Sequence, residues 1–375
     1  MKYKDTIKQV ASDVFEELNK MSHKIHDNPE LSYHEYQSSK LLADYLEKEG
    51  FQVERGLYGL ETSFRAEYDS GKPGKTICFM AEYDALPNIG HACGHNIIAT
   101  NSCGSGVILK RTIEEFGLPG KVVVLGTPAE ENGSGKIQEI EKGAFKNIDH
   151  AIIMHPTDNS IPDDISFAAV TRKYVFHGKA AHAAAFPWVG RSALNGVIQM
   201  FNGVDANRLQ LKDYSRVHGI ITEGGATHNQ IPEVASCLFN LRALDYKYLN
   251  EIIDMVDRCA KGAATMTGCE VEIEEQGEMI KNVKNDPKIV NFVRKNMEEV
   301  GEKYVERSLD QGIGSTDAGN VTHEISAAQY YIRLDYGIGT HTTEFEEAAG
   351  DERGERCLSQ ALKVTSMTAL DLLLS

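Results

Sequence analysis

The sequence predicts an α/β protein of two domains, the second an α+β domain of ferredoxin-like order inserted into the first. Three observations carry this reading. Short apolar runs at 75–81, 121–125 and 150–154 alternate with stretches of helical periodicity, and each ends in ionisable residues. The pattern then changes, and residues 171–280 read β-α-β-β-α-β. After residue 281 the alternation of the first part resumes. A chain of 375 residues is too long for one ordinary small domain. The expected division is therefore 1–170 with 281–375 as one domain and 171–280 as the other.

Residues 3–50 read as two helices. Val10, Val14, Phe15 and Leu18 recur at helical spacing, as do Leu41, Leu42, Tyr45 and Leu46. A turn closed by Asn28-Pro29 separates them, and Gly50 supplies the stop. Lys75 to Ala81 is a buried strand that runs into Glu82-Tyr83-Asp84, and in open α/β sheets ligands bind beyond such carboxyl ends. His91-Ala92-Cys93-Gly94-His95-Asn96 follows, then a helix over 97–113. The motif would thus sit at a helix N-terminus, a position that favours a thiolate.

Lys121 to Leu125 is the next strand and leads to Glu130-Glu131 in a segment expected to be extended, where adjacent side chains point to opposite sides. His150 to Met154 is a third strand, capped by His155. In the inserted part, strands are expected at 172–176, 217–222, 235–241 and 270–274, with helices at 190–208 and 248–264. Asp286-Pro287 opens a helix through Val300. Gly312 to Asp317 is a polar loop, Tyr330 to Leu334 a strand, Gly337 to Thr342 a loop holding His341, and 353–374 a closing helix.

Composition narrows the function. With 41% hydrophobic and 25% charged residues the chain reads as soluble and globular. A formal net charge of −16 leaves no basic surplus to neutralise phosphates, so a nucleic-acid partner is not expected. No apolar run has the length of a membrane span, and residues 1–19 are charged throughout, without the apolar core of a secretory leader. The seven scattered cysteines fit reduced thiols in a cytoplasm better than a disulfide framework.

Cys93 and His95 are natural ligands of a borderline-soft divalent metal. Alone, such a pair reads equally well as a buried thiol beside a hydrogen-bonded histidine. A Glu-Glu pair is commonly a solvated turn, and a histidine at a strand end is commonly structural. The recurrence of such groups at three successive strand ends favours a site. Cys93, His95, Glu131, His155 and His341 are too many ligands for one tetrahedral metal. They suit two divalent ions about 3.5–4 Å apart, with Glu130 left unligated as proton carrier.

Eight stretches, HDNPELSYHE, AEYDALPNIGHACGHN, GTPAEENGSGK, IIMHP, GKAAHAAAFPWVGRSALN, GGATHNQIPE, GSTDAGNV and GTHTTEFEEAAG, span nearly the whole chain. In this order they resemble the aminoacylase and carboxypeptidase-G family of two-metal peptidases. Within it the chain is similar to the amidohydrolase branch of hippurate, auxin-conjugate and p-aminobenzoyl-glutamate hydrolases and β-alanyl-lysine dipeptidases. The resemblance implies a zinc-peptidase-like catalytic domain, a mixed sheet flanked by helices, with the inserted ferredoxin-like domain as lid and dimerisation domain.

It implies hydrolysis of the amide of N-acyl amino acids or of dipeptides with a free carboxylate, by metal-bound hydroxide. Cys93 matches the bridging ligand, His95, Glu131, His155 and His341 the other ligands, and Glu130 the general base. Asp84 matches an acid that orients a ligand. His182 matches a histidine sent across a homodimer interface to the scissile carbonyl as oxyanion donor. Asn229 and Arg242 match groups that hold the substrate carboxylate. Two metal ions per subunit are implied, with zinc favoured by the ligands and manganese, cobalt or nickel as alternatives.

Three positions depart from the pattern: Glu82 and Asn96 stand where aspartate is usual, and Ser326 where proline is frequent. Two other readings remain from the residues alone. Cys93 could be a nucleophile with His95 as its base, or the scaffold could be a non-catalytic small-molecule binder.

Overall fold

A computed structural model describes residues 2–310 and 312–375. Helix α1 (Lys2–His26) buries Ile7, Ala11, Val14, Leu18, Met21 and Ile25 along one stripe, the three- and four-residue spacing of an amphipathic helix. Helix α2 (Tyr36–Lys48) follows, and the chain turns at Gly50, φ +84°. Strands β1 (Gln52–Arg55) and β2 (Phe64–Asp69) come next; β1 is mostly exposed and charged, so it left no apolar signature. Then come β3 (Thr76–Ala81), α3 (His95–Phe116), β4 (Lys121–Gly126), a single turn α4 (Glu130–Gly133), α5 (Gly135–Glu141) and β5 (His150–Thr157).

The inserted segment holds β6 (Ala168–His177), β7 (Ala181–His182), α6 (Ala193–Asn207), β8 (Arg216–Glu223), β9 (Gln230–Ile231), β10 (Val234–Ala243), α7 (Tyr246–Thr267) and β11 (Glu270–Ile280). Four strands form an antiparallel sheet in the order β11-β6-β10-β8, the arrangement of the split β-α-β unit. Helices α6 and α7 bury Val197, Met200, Ile252 and Val256 with Tyr174, Phe176 and Phe239 of the sheet, a core of its own. Asp245 caps α7 by accepting from the backbone N–H groups of Lys247 and Tyr248 at 2.6 and 3.2 Å. Strands β7 and β9 make a separate two-stranded ribbon.

The last part supplies α8 (Pro287–Glu299), α9 (Ala318–Glu324), β12 (Ser326–Arg333), α10 (Thr343–Ala349) and α11 (Glu352–Leu373). By packing, one compact unit comprises the described residues up to Ile165 with those of Val283–Gly312 and Thr316–Ser375. The other comprises Ser166–Asn282 and Ile313–Ser315; the short piece of the Gly-rich loop is held there by the Phe167 N–H, which donates to the Gly314 carbonyl at 2.8 Å.

The first unit is built on a mixed six-stranded sheet, β1-β2-β4-β3-β5-β12, in which β4, β3, β5 and β12 run parallel. Strand β3 is buried at every position, as expected of a strand covered on both faces. One face packs α1, α3 and α11, which close to contact at Gly104: a Cβ there would lie 2.4 Å from Leu18 and 2.6 Å from Leu362. The other face packs Phe145, Ile148 and Val321 on Cys78, Val123 and Ile153. Parallel register sets Ala81 beside Gly126, so the carboxyl ends of β3 and β4 open on one crevice. No helix among the described residues is long and apolar enough to cross a membrane.

Two local expectations change. His155 lies inside β5 and does not cap it, because β12 goes on pairing beyond the apolar run, with Tyr331 opposite His155 and Ile332 opposite Pro156. Glu130 and Glu131 are not extended; they begin the α4 turn, after Ala129 swings the chain through φ +61°. The central strands carry the stability of this unit. Truncating Phe79, fully buried at the middle of β3, is expected to lower the unfolding free energy by about 3–5 kcal/mol, measured by urea denaturation of Phe79→Ala against the parent.

Candidate metal centre

Four segments of the first unit deliver ionisable side chains to one place: the end of β3 with Glu82 and Asp84, the start of α3 with Cys93 and His95, the α4 turn with Glu130 and Glu131, and β5 with His155. His341 joins them from the loop before α10. The chain adopts unfavourable backbone to do this. Gly94 has φ +73°, and a Cβ there would fall 2.4 Å from Pro156 Cγ, so only glycine fits between Cys93 and His95. His341 itself has φ +64° and is held by its N–H, which donates to the Ala92 carbonyl at 2.9 Å. The Ala129 N–H donates to Glu35 Oε1 at 2.9 Å, fixing the turn that carries the glutamate pair.

The ligand-type atoms of Cys93, His95 and His155 lie within 4.8 Å of one another, and so do those of Cys93, Glu131 and His341. Cys93 is common to both groups. A third group joins His95, Glu130 and Glu131. His95 Nδ1 is 2.7 Å from the Asp84 carbonyl and 3.1 Å from its Oδ1, so a ring proton sits there and Nε2 is the nitrogen turned to the cluster. Asp84 Oδ2 in turn accepts from Ser32 Oγ at 2.7 Å and from the Glu131 N–H at 3.0 Å. His95 Nε2, His155 Nε2 and Glu131 Oε1 are buried without a hydrogen-bond partner. Buried polar atoms are rarely left so. One thiol, three imidazoles and a carboxylate with free lone pairs fit divalent cations, and the shared Cys93 fits two of them.

Electrostatics agree with a cation-seeking site. Burial pushes the Cys93 thiol up to about 12, with Glu131 adding and His95 opposing. The start of α3 was expected to favour the thiolate, but one helix end does not outweigh burial beside a carboxylate. Burial, then Glu82, Glu131 and Asp317, hold Glu130 well above the usual carboxylate range. Burial also raises Glu82, but Lys136 and His155 outweigh it and keep its carboxyl ionised.

Several charged residues of this region had no role in the sequence reading. Glu35 accepts from Thr62 Oγ1, the Tyr33 N–H and the Ala129 N–H. Lys136 and Asp317 are fully buried and paired at 2.7 Å. Glu139 is fully buried, and neither carboxylate oxygen has a hydrogen-bond partner. Periodicity gives no hint of them, since lysine and glutamate are ordinarily exposed.

His182, Asn229 and Arg242 belong to the inserted unit and are not among the clustered side chains. His182 is exposed on β7, where its Nδ1 accepts from the backbone N–H groups of Ala184 and Ala185 at 3.3 and 3.2 Å. Its ring proton is thereby placed on Nε2. Asn229 is exposed beside it, its carbonyl joined to Ala183 N–H at 3.0 Å. Arg242, on β10, donates from Nε to Asn240 Oδ1 at 2.8 Å and has Nη1 3.5 Å from Ser315 Oγ.

Comparison with known proteins adds the following. Residues 78–363 match the sequence profile of Peptidase family M20/M25/M40. The Xaa-Arg dipeptidase of Mus musculus is 35% identical over 372 residues, covering 96% of this chain and 86% of its own. One polypeptide of the p-aminobenzoyl-glutamate hydrolase of Escherichia coli is 34% identical, across 66% of this chain and 55% of its own. Among solved structures, a dinuclear metal binding peptidase of Bacillus subtilis superposes with a TM-score of 0.77 at 20% identity, over 97% of this chain and 99% of that one. That likeness is one of fold.

Glu139 gives a measurable signature. Burial holds its carboxyl well above the unfolded value, outweighing the attraction of Lys136. Above about pH 4.3 the unfolded chain releases this proton while the folded chain keeps it, so stability falls as pH rises through that window. Glu139→Gln removes the penalty. Its melting temperature is expected to match the parent near pH 4 and to exceed it increasingly toward pH 8, by thermal unfolding across that range.

Proposed function

The chain belongs to Peptidase family M20/M25/M40 and is a hydrolase of that family, and we propose that it cleaves the amide bond of N-acyl amino acids or of dipeptides with a free carboxylate. The observation that carries the proposal is the convergence of three buried, unpartnered ligand atoms on His95, His155 and Glu131, with Glu130 beside them. The relatives' names supply the substrate class, a dipeptide and an aroyl-amino acid, both amides whose amine side bears a carboxylate.

Cys93, His95, Glu131, His155 and His341 would hold two divalent ions, which when bound activate a water and polarise the scissile carbonyl. Asp84 keeps the His95 proton on Nδ1 and so keeps Nε2 available. Glu130 takes the proton of the attacking water and delivers it to the leaving nitrogen; burial and the carboxylates around it raise its proton affinity, which favours the uptake. His182, with its proton on Nε2, donates to the developing oxyanion. Arg242 and Asn229 receive the substrate carboxylate.

His182 acts across the interface of a homodimer formed through the inserted domain. The strand β8 supports this, since it lies at the edge of its sheet and Ile220 and Ile221 on it are exposed. Seven unpaired cysteines support a cytoplasmic location. Zinc is the proposed metal because the set includes a cysteine sulfur among imidazoles. The height of the Cys93 pKa weighs against the thiol as nucleophile.

The test begins with the purified protein's metal content and a screen of N-acyl amino acids and dipeptides. Chelation is expected to abolish turnover, and reloading with zinc, manganese, cobalt or nickel to restore it to different degrees. Turnover that survives exhaustive chelation overturns the metal reading in favour of Cys93. Glu130→Gln is expected to lower kcat by about 10²–10⁴-fold without loss of metal. His182→Ala is expected to lower kcat by about 10²–10³-fold, and sedimentation to report a dimer.

A further inference from the structure

Glu82, Lys136 and Asp317, each 0% exposed, lie against the candidate ligands. Lys136 Nζ is 2.5 Å from Glu82 Oε1 and 2.7 Å from Asp317 Oδ1, and the Lys136 N–H donates to Asp317 Oδ2 at 3.0 Å. The ammonium therefore fixes one oxygen of Glu82. The other, Oε2, faces away from Lys136, at 2.9 Å from His155 Nε2 and 3.5 Å from His95 Nε2.

Neither contact is a hydrogen bond: Glu82 Oε2 and both Nε2 atoms are without a hydrogen-bond partner. The His95 proton is already committed to Asp84. Three buried polar atoms thus crowd together with no aligned hydrogen bond among them. Such crowding is unfavourable unless a cation lies among them. A metal ion about 2.0–2.2 Å from imidazole nitrogen and carboxylate oxygen separates neighbouring ligand atoms by roughly 2.9–3.5 Å, from right-angled to tetrahedral arrangements. The two observed separations match those edges.

We propose that Glu82 is a further metal ligand, its Oε2 binding the same divalent ion as His95 and His155, while Lys136 and Asp317 anchor its Oε1. The proposal rests on the two-metal reading. Lys136 acts as a positioning residue.

The test uses metal-free parent, Glu82→Gln and Glu82→Asp proteins, titrated with cobalt(II) and followed by calorimetry and visible absorption. The parent is expected to bind two ions per chain. Both variants are expected to hold one of the two about tenfold to a hundredfold more weakly or worse. The cobalt bands of that site should intensify as one ligand is lost. Glu82→Asp preserves the charge beside Lys136, so it carries the test if the glutamine variant does not fold. Unchanged affinities and spectra in a folded variant, with two ions on the parent, overturn the role of Glu82 and leave the two-metal reading standing. A parent that binds no cobalt overturns both.

Discussion

Ligand-type atoms on His95, His155 and Glu131 are buried without a hydrogen-bond partner, and the rest of the first unit is arranged around that constraint. Glu82, Asp84, Glu130, Glu131 and Asp317 are gathered at the carboxyl ends of β3 and β4 with Cys93, His95 and His155, and Lys136 is paired within the cluster. Assembling like charges in a poorly solvated crevice is costly in a protein without ions. The sheet tolerates it because strands buried on both faces are rigid, and because left-handed backbone at Ala129 and His341 is tied down by Glu35 and by the Ala92 carbonyl. Net attraction for divalent cations follows from the arrangement itself, without appeal to any single residue.

The inserted unit obeys a different logic. It has its own core between α6, α7 and one face of its sheet, so it needs no apolar contribution from the chain on either side. His182 and Asn229 are set by contacts local to the ribbon of β7 and β9, Arg242 by side chains of Asn240 and Ser315. The tautomer of His182, for example, is dictated by two neighbouring N–H groups within three residues of it.

Legibility in the sequence tracked burial on two faces. Strands β3, β4 and β5 are continuous apolar runs, so they stood out, and so did the polar residues that end them. Strand β1 escaped because an edge exposes polar side chains and erases the pattern, β2 because only Phe64 and Ala66 of its six residues are buried, and α5, α9 and α10 because helices of seven residues make barely two turns. Within the cluster, Cys93, His95 and Glu131 announced themselves by residue type. Lys136, Asp317 and Glu35 did not, since their importance lies in being paired across 94 to 181 positions of sequence, which no local pattern encodes. The glutamate pair was read as extended because nothing in Pro128-Ala129 signals a left-handed alanine.

The seat of Gly94 on Pro156 has a consequence for selectivity. Pro156 adjoins His155, and Gly94 joins Cys93 to His95, so the two ligand-bearing segments touch through backbone and ring atoms that cannot compress. The aperture between these donors is thus machined in advance. Were these segments to hold ions as proposed, an ion of unsuitable radius would have to spread a strand from a loop rather than rotate a side chain, so that size would weigh in the choice of cation alongside affinity for sulfur or nitrogen.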